Sequence, residues 1–398
     1  MVRDSRVGSD SSLIVFAGGG TGGHLYPALA LADALRGRVP RVRFLFFATD
    51  RGIDHRVLER VDAELFRQNL PPLRGAPWRW PGALAALRRA CRACRSCFAS
   101  DRPGVVIGTG GLSSVPAVLE ARRADVPVAL LNPDAVPGRA NRLLARLAEA
   151  VFAQWEDTAA HLPRGVNVLA CGCPIRAAFF QVNRRAAIDR FRLRHDRKTL
   201  LVTGASQGAR SINEAVMASL AGLGRFSDWQ VLHLTGDLDL ARVQAAYRHC
   251  DLPAVVLPFT HDMPLALCAA DLVVSRAGAS TLAEISAVGV PSVLMPYPFH
   301  RDMHQLANAR CLERVGAARI VKDAINPAIN GPALLAVLEE LMVDDDTRQA
   351  MAAAARRGGQ AGAAETIADA VWALARRQEG GSPRVASRRV EQTCAPAR

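Results

Sequence analysis

No uninterrupted apolar run in this 398-residue chain approaches the roughly 18–20 residues that a membrane span needs, although half of its residues are apolar. The first residues, Met1 to Ser12, are polar and lack the apolar core of a signal peptide, so the protein is expected to stay on the cytoplasmic side. Nine cysteines occur without spacings that suggest a disulfide framework, which fits a reducing compartment. Cys91, Cys94 and Cys97 form a cluster, but no fourth cysteine follows. One continuous helix cannot easily wrap three thiolates round a metal, and no metal or iron–sulfur site is expected. Nor is any Asp-x-Asp motif read as a site for a divalent ion, so no obligatory metal or other cofactor is expected.

Positive charge is abundant: the net charge is +13, almost all of it arginine. That balance points to anionic partners, among them nucleic acid, anionic lipid and phosphorylated substrates. The length allows two domains, each with its own core.

Leu13 to Ala17 reads as a buried strand, followed by the loop Gly18-Gly-Gly-Thr-Gly-Gly23 and His24. An apolar helix is expected from Pro27, placed near N1, to about Arg36. Further strands are expected at 42–47, 105–107, 128–131, 151–153 and 166–170, with helical patterns between them. A second opening of the same kind begins at Thr199, with the loop Gly204-Ala-Ser-Gln-Gly208 and a helix from Ala209. Strands then recur at 230–234, 254–257, 272–275, 292–296 and 318–321. The alternation predicts an α/β protein of two Rossmann-like, doubly wound parallel-sheet domains facing across a cleft. The expected division is residues 1–173 and 174–364. A helix at about 365–377 would pack back on the first domain, and a basic tail from Glu379 to Arg398 would be disordered.

The stretch from Ser275 to Asn308 organises this plan. The strand 272–274 breaks at Arg276-Ala277-Gly278, and a helix is expected from Ala279 to a C′ glycine at Gly289. Backbone N–H groups at such a helix start, backed by the dipole, hold phosphate. Thr281 and Glu284 share one helix face. They form either a capping box or, through the Glu284 carboxylate, an acceptor for two vicinal sugar hydroxyls.

The loop Gly18–Gly23 lets backbone amides approach an anion. It is not a P-loop, since no Lys-Ser/Thr follows. Nor is it read as a good match to the dehydrogenase fingerprint G-x-G-x-x-G, and no clear acidic residue is seen to cap the next strand, so a plain dehydrogenase is disfavoured. His24, at the mouth of the cleft, is a general-base candidate, with an ordinary structural histidine as the alternative. Gly108-Thr-Gly-Gly111 also follows a strand. Two such loops at one sheet edge suggest a broad anionic site such as a diphosphate, with two plain tight turns as the alternative. The segment from Trp78 to Phe98 is a helix with Trp78 and Trp80 at its start and with Arg88, Arg89, Arg92 and Arg95. It reads as a membrane-surface element, or as a solvated helix with a Leu/Ala/Cys stripe toward the core.

Taken together, Gly18 to His24, Gly204 to Arg210 and Arg276 to Asn308 resemble the MurG family, the peptidoglycan N-acetylglucosaminyltransferases of GT-B fold. The resemblance spans roughly residues 13 to 375. It implies an inverting transfer of GlcNAc from UDP-GlcNAc to the muramyl C4 hydroxyl of undecaprenyl-diphosphoryl-MurNAc-pentapeptide, at the inner face of the cytoplasmic membrane. It also implies cell-wall synthesis proteins as candidate partners and gives nucleic acid no part. By the same resemblance the second domain binds the donor. Ser206 and Arg276 lie near UDP, and Ala279, Ser280, Thr281, Leu282, Ala283 and Glu284 surround phosphate and ribose. His304 and Gln305 face the sugar, Arg176 is the linker arginine, and Thr260 gives a backbone contact to uracil. Thr21, Gly22, Gly23 and His24 meet acceptor and donor sugar, while Gly19, Gly20, Gly110 and Gly111 belong to the acceptor diphosphate loops.

Three places depart from the family pattern, all on or beside the acceptor side: Leu131-Asn132-Pro133-Asp134, Leu112 after Gly111, and Cys173. Asp134 is therefore the rival of His24 for the general base. The competing readings are a sister transferase acting on another lipid such as diacylglycerol, a UDP-GlcNAc 2-epimerase, and an inactive donor-binding paralogue.

Overall fold

The computed structural model describes residues 12–20, 22–50, 54, 58, 61–71, 80–204, 208–299, 303–360 and 362–379, without the side chains of Trp80, Gln378 and Glu379. Thr21, Ser206, Trp78 and the tail beyond Glu379 lie outside that set.

Two sheets organise the chain, and every strand pairing in them is parallel. The first contains β1 (Leu13–Gly18), β2 (Arg43–Thr49), β3 (Glu64–Gln68), β4 (Val105–Gly110), β5 (Val128–Asn132), β6 (Ala150–Ala153) and β7 (Val168–Ala170), in the order β3-β2-β1-β4-β5-β6-β7. The second contains β8 (Lys198–Thr203), β9 (Trp229–Leu234), β10 (Ala254–Leu257), β11 (Leu272–Ser275), β12 (Ser292–Leu294) and β13 (Ala318–Ile320), in the order β10-β9-β8-β11-β12-β13. The α/β doubly wound class expected from the sequence is present twice. Helices cover both faces, which is why strands such as Leu13-Ile-Val-Phe-Ala read as unbroken apolar runs: both side-chain rows are buried.

In each sheet the chain order reverses beside the first strand, between β1 and β4 and between β8 and β11. Ligands of doubly wound sheets bind outside the strand ends at that point. The loops after β1 and β4 flank it in the first sheet, and those after β8 and β11 flank it in the second.

One strand was not anticipated. β3 (Glu-Leu-Phe-Arg-Gln) is an edge strand whose side chains are mostly exposed, so it carries no apolar run. The first helix also starts earlier than expected, at Gly22, and runs to Arg38 with Pro27 inside it rather than at N1. Proline has no N–H, so the carbonyl of Gly23, four residues back, loses its intrahelical donor. The helix Ala279–Val288 does end at Gly289, whose φ of 78° and ψ of 52° are left-handed and favour a residue without Cβ.

The helix Ala363–Glu379 places Ile367, Ala368, Val371, Leu374 and Ala375 in the apolar cluster on one face of the first sheet, beside the helix Gly22–Arg38. The preceding helix, Asp345–Gly358, packs instead on Ala279–Val288 of the second sheet. Gly172 in the outgoing segment lies against Gln360 and Ala363 in the returning one, so a Cβ on Gly172 would stand 2.9 Å from Gln360 Cβ.

Candidate active site between the two sheets

The helices that start at Gly22 and Ala279 meet across the cleft, where Ser280 Oγ donates to Gly23 O at 3.3 Å. That acceptor is the carbonyl released by Pro27. Gly278 caps the Ala279 helix without any side-chain hydrogen bond, so its first N–H groups are left for a ligand or solvent. Thr281 lies within the helix rather than at its cap. The capping-box reading of Thr281 and Glu284 therefore does not hold.

Glu284 is half-buried, and no described residue donates a hydrogen bond to its carboxylate. Burial pushes its pKa up to about 7, against the pull of the Arg176 guanidinium. Arg176 lies over the rings of Tyr26, at 5.5 Å, and Phe179, at 5.2 Å. Its Nε is buried without an acceptor among the described residues. Burial raises the Tyr26 pKa, Arg176 opposes this, and Glu284 adds to it, so these three groups share one neighbourhood. Cys173 lies between the halves: burial, then the Glu284 and Asp134 carboxylates, push its thiol up.

Several expected contacts are corrected. Arg276 is not a free cation beside a diphosphate. Its Nη1 donates to Asp323 Oδ2 and Met295 O, both at 2.8 Å, and its Nη2 to Ser211 Oγ at 2.7 Å. Burial raises the Asp323 pKa, but hydrogen bonds from Ser211, Ile325 N, Arg276 and Asn330 outweigh it and hold it low. Arg276 thus ties the start of the helix Arg210–Leu223 to the segments after β12 and β13. The side chains of Ala279, Leu282 and Ala283 are buried, Leu282 within the core of the second sheet, so these residues offer only backbone. Gln305 Oε1 accepts from Tyr297 N at 2.9 Å, which leaves its amide nitrogen for a ligand. Thr260 Oγ1 accepts from Asp262 N at 3.0 Å, so its side chain serves the loop. His304 opens the helix that carries Gln305 and Asn308.

Asp134 is also engaged. Its Oδ1 accepts from Asn308 Nδ2, and Ala135 N donates to Asn308 Oδ1, both at 2.8 Å. Asn308 also reaches Ala277 O at 3.2 Å, and Arg314 pairs with Asp157 at 2.7 Å. The segment that departs from the family pattern is therefore a clasp between the two halves. That role weakens Asp134 as a general base.

On the first sheet, His24 Nδ1 lies 3.2 Å from Gly19 O. A Cβ on Gly110, whose φ is 113°, would stand 3.0 Å from His24 Nε2 and 3.7 Å from Asn141 Oδ1. Asn141 Oδ1 is buried and has no donor among the described residues. Glycine thus leaves a small space flanked by an imidazole nitrogen and an unsatisfied amide oxygen. Asn141 was missed in the sequence because nothing local distinguishes it. Its Nδ2 is held by Leu131 O and Asn132 Oδ1, at 3.1 and 3.0 Å.

The glycine loop needs two corrections. It does spell G-x-G-x-x-G from Gly18 to Gly23, and a carboxylate does stand at the tip of β2, that of Asp54. It faces inward: Gly20 N donates to its Oδ1 and Oδ2 at 2.8 and 3.0 Å, and Thr49 N and Oγ1 donate to Oδ2 at 2.8 and 2.6 Å. Gly20 N–H is therefore unavailable to an acceptor diphosphate. Ser114 N and Oγ donate to Gly111 O. The sequence also contains Asp-x-Asp patterns at Asp237–Asp239 and Asp344–Asp346. Asp239 is held by Asn213 and Arg242, and Asp344 caps the helix Asp345–Gly358 through Thr347.

On the helix Trp80–Ser100, the two readings each describe one face. Ala83, Ala86, Cys94 and Phe98 are buried, while Arg88, Arg89 and Arg92 are exposed beside Leu84. Arg95 is taken by buried Glu120, with Nε to Oε2 at 2.9 Å.

Two nucleotide-fold halves, with an uncapped helix start and a lone carboxylate on one side and a histidine on the other, define a nucleotide-sugar glycosyltransferase of GT-B fold. Sequence models of the glycosyltransferase family 28 N-terminal and C-terminal domains match residues 14–153 and 199–370. The chain is 39% identical over 361 residues to the UDP-N-acetylglucosamine–N-acetylmuramyl-(pentapeptide) pyrophosphoryl-undecaprenol N-acetylglucosamine transferase of Moorella thermoacetica, covering 89% of this chain and 96% of that one. It is 33% identical over 372 residues to the protein of that name from Desulforamulus reducens, covering 92% and 99%. The crystal structure of Acinetobacter baumannii MurG superposes with a TM-score of 0.72 at 27% identity, covering 91% of this chain and 99% of that one. The chain belongs to this family of peptidoglycan N-acetylglucosaminyltransferases.

Proposed function

We propose that the cleft moves GlcNAc from UDP-GlcNAc to the C4 hydroxyl of an undecaprenyl-diphosphoryl muramyl-pentapeptide, with the donor on the second sheet and the acceptor on the first. The observation that carries this assignment of sides is the contact of Ser280 with Gly23, which sets an open helix N-terminus against the histidine-bearing loop. Donor diphosphate meets the amides of Ala279, Ser280 and Thr281. Glu284, as carboxylate, accepts the ribose hydroxyls, and Arg176 stands beside it. The acceptor sugar enters the space beside Gly110, where His24 Nε2 and Asn141 Oδ1 both accept from hydroxyls.

In the transfer step the C4 oxygen attacks the anomeric carbon from the face opposite UDP. The C4–O–C1 bond forms, the bond from C1 to the diphosphate oxygen breaks, and the configuration inverts. The hydroxyl proton passes to His24 Nε2. The charge gained by UDP falls on the helix start at Ala279, which is arranged before reaction.

For the membrane, no helix among the described residues is long and apolar enough to cross it. Leu84, Arg88, Arg89 and Arg92 form a peripheral, anionic-lipid-binding face on the cytoplasmic side. Leu143, 78% exposed among Arg139, Arg142 and Arg146, adds to it.

Incubation with radiolabelled UDP-GlcNAc and either the lipid-linked muramyl acceptor or diacylglycerol tests the reading. Labelled disaccharide lipid is expected only with the muramyl acceptor. Label on diacylglycerol alone, or free sugar epimer, overturns it.

A further inference from the structure

We propose that Asp54 is a positioning residue for His24, acting through the single peptide group between Gly19 and Gly20. This rests on the reading of His24 as the base.

The N–H of that peptide, on Gly20, donates to both carboxylate oxygens of Asp54 at 2.8 and 3.0 Å. Its C=O, on Gly19, faces His24 Nδ1 at 3.2 Å. In a trans peptide the N–H and C=O point in opposite directions, so carboxylate and imidazole are held on opposite sides of one rigid plane. A carbonyl can only accept. Nδ1 must therefore carry the proton of this hydrogen bond, and Nε2 keeps its lone pair toward Gly110.

The carboxylate is well placed to fix this arrangement. Asp54 is 1% exposed, and Thr49 N and Oγ1 hold it at the end of β2. Hydrogen bonds in a chain polarise one another. A negative charge on the N–H side makes Gly19 O a stronger acceptor, which favours the Nδ1–H tautomer and steadies the imidazolium formed when Nε2 takes a proton. The logic is that of a base oriented by a carboxylate, with a peptide group interposed.

Among the described residues, charged and titratable groups reach the cleft from several elements. Tyr26 stands on the histidine's own helix, Arg176 in the linker, Glu284 on the facing helix and Asp134 on the rim. The facing edge of β4, Gly108 to Gly111, carries no titratable side chain. Asp54 also occupies the inner side of a loop whose spelling suggests a nucleotide site, which reserves that side for support of the histidine.

The test uses the full chain with labelled histidine, comparing wild type with Asp54→Asn and Thr49→Val. Nitrogen NMR of His24, assigned by loss of its signal in His24→Gln, reads the tautomer. The pH profile of kcat on the lipid-linked muramyl acceptor is recorded alongside. Wild type is expected in the Nδ1–H form. Asp54→Asn should mix the tautomers, lower the acid limb of the profile by about 0.5–1 pH and reduce kcat about 3–10-fold, with KM for UDP-GlcNAc held. Thr49→Val, which keeps the charge and the Thr49 N donor but removes one hydroxyl from the carboxylate, should shift tautomer and profile much less than Asp54→Asn.

An unchanged tautomer and profile in folded Asp54→Asn overturns the proposal, and so does an equal change in Thr49→Val. Should Asp54→Asn not fold, an Nε2–H tautomer in wild type overturns it and an Nδ1–H tautomer supports it. Near-normal kcat in His24→Ala refutes the general-base reading instead, while the tautomer measurement still decides what Asp54 does.

Discussion

The two helix starts that face each other across the cleft differ in where their carboxylate lies. On the first sheet, Asp54 turns inward and takes up a glycine-loop amide. On the second, Gly278 provides no side-chain cap, and Glu284 stands one turn into the helix without a donor among the described residues. Both sheets share one strand order, so topology does not separate donor from acceptor. An amide already satisfied by the protein cannot hold a second anion, whereas an uncapped helix start can. The placement of one acidic residue makes one loop a support and the other a binding site.

The sharpest way to break this comparison is on the support side. A general base contributes about 10²–10⁴-fold, so His24→Ala should lower kcat by that much and leave UDP affinity, read by calorimetry, unchanged. Asp134→Asn keeps an oxygen for Asn308 and should have the smaller effect. The reverse ranking would move the base to the clasp. Activity should persist in EDTA; its abolition would require a metal on the donor side.

Next in size is the scaffold beneath the donor site. Arg276→Ala leaves Asp323 buried without its cation and removes the donor to the carbonyl of Met295, while Ser211 Oγ still donates to Asp323. Breaking a buried pair in this way costs about 3–5 kcal/mol, which a thermal melt would register as a marked loss of stability. A folded variant with unchanged melting and weakened UDP binding would make Arg276 a direct ligand after all.

Much of this was legible in the sequence, and the remainder failed for identifiable reasons. Buried parallel strands such as 13–17 and 272–275 are apolar on both faces and so announce themselves. Gly289 is legible because a left-handed C′ position favours glycine. Contacts between distant residues leave no such trace. Nothing near Asp134 indicates Asn308, and nothing near Arg276 indicates Asp323. Asp54 was overlooked because its position at a strand tip resembles a ribose-binding acid only if its direction is known. Edge strand β3 was missed because it buries little.

On the binding side, Glu284→Ala should weaken UDP and UDP-GlcNAc alike by about 1.5–3 kcal/mol, the value of hydrogen bonds to a charged acceptor. The pH dependence sharpens this. With its folded pKa raised from 4.5 to about 7, Glu284 contributes stability fully below 4.5 and loses it as pH rises through 7. Ribose binding needs the carboxylate, so UDP affinity should rise over that same interval and level off above it. Glu284→Gln should abolish the rise while making the ligand-free protein more resistant to melting at pH 8. A pH-independent affinity in wild type would remove Glu284 from the ribose.

The smallest effects are expected on the helix Trp80–Ser100, where the same contrast between engaged and open groups recurs within one element. Arg95 is bound to buried Glu120, but Arg88, Arg89 and Arg92 are exposed. Each exposed arginine near an anionic surface is worth about 1 kcal/mol at low salt. Replacing all three with glutamine should therefore weaken binding to phosphatidylglycerol vesicles several-fold to a hundredfold or so, with the difference shrinking as salt screens the charges. Arg95→Gln should leave vesicle binding nearly unchanged and lower the melting temperature slightly, because Arg123 still pairs with Glu120. Turnover of a short-chain, water-soluble muramyl acceptor should be the same in all of these variants, since the substitutions lie away from the cleft. Equal vesicle binding by wild type and the triple variant would show that this face is only solvated surface.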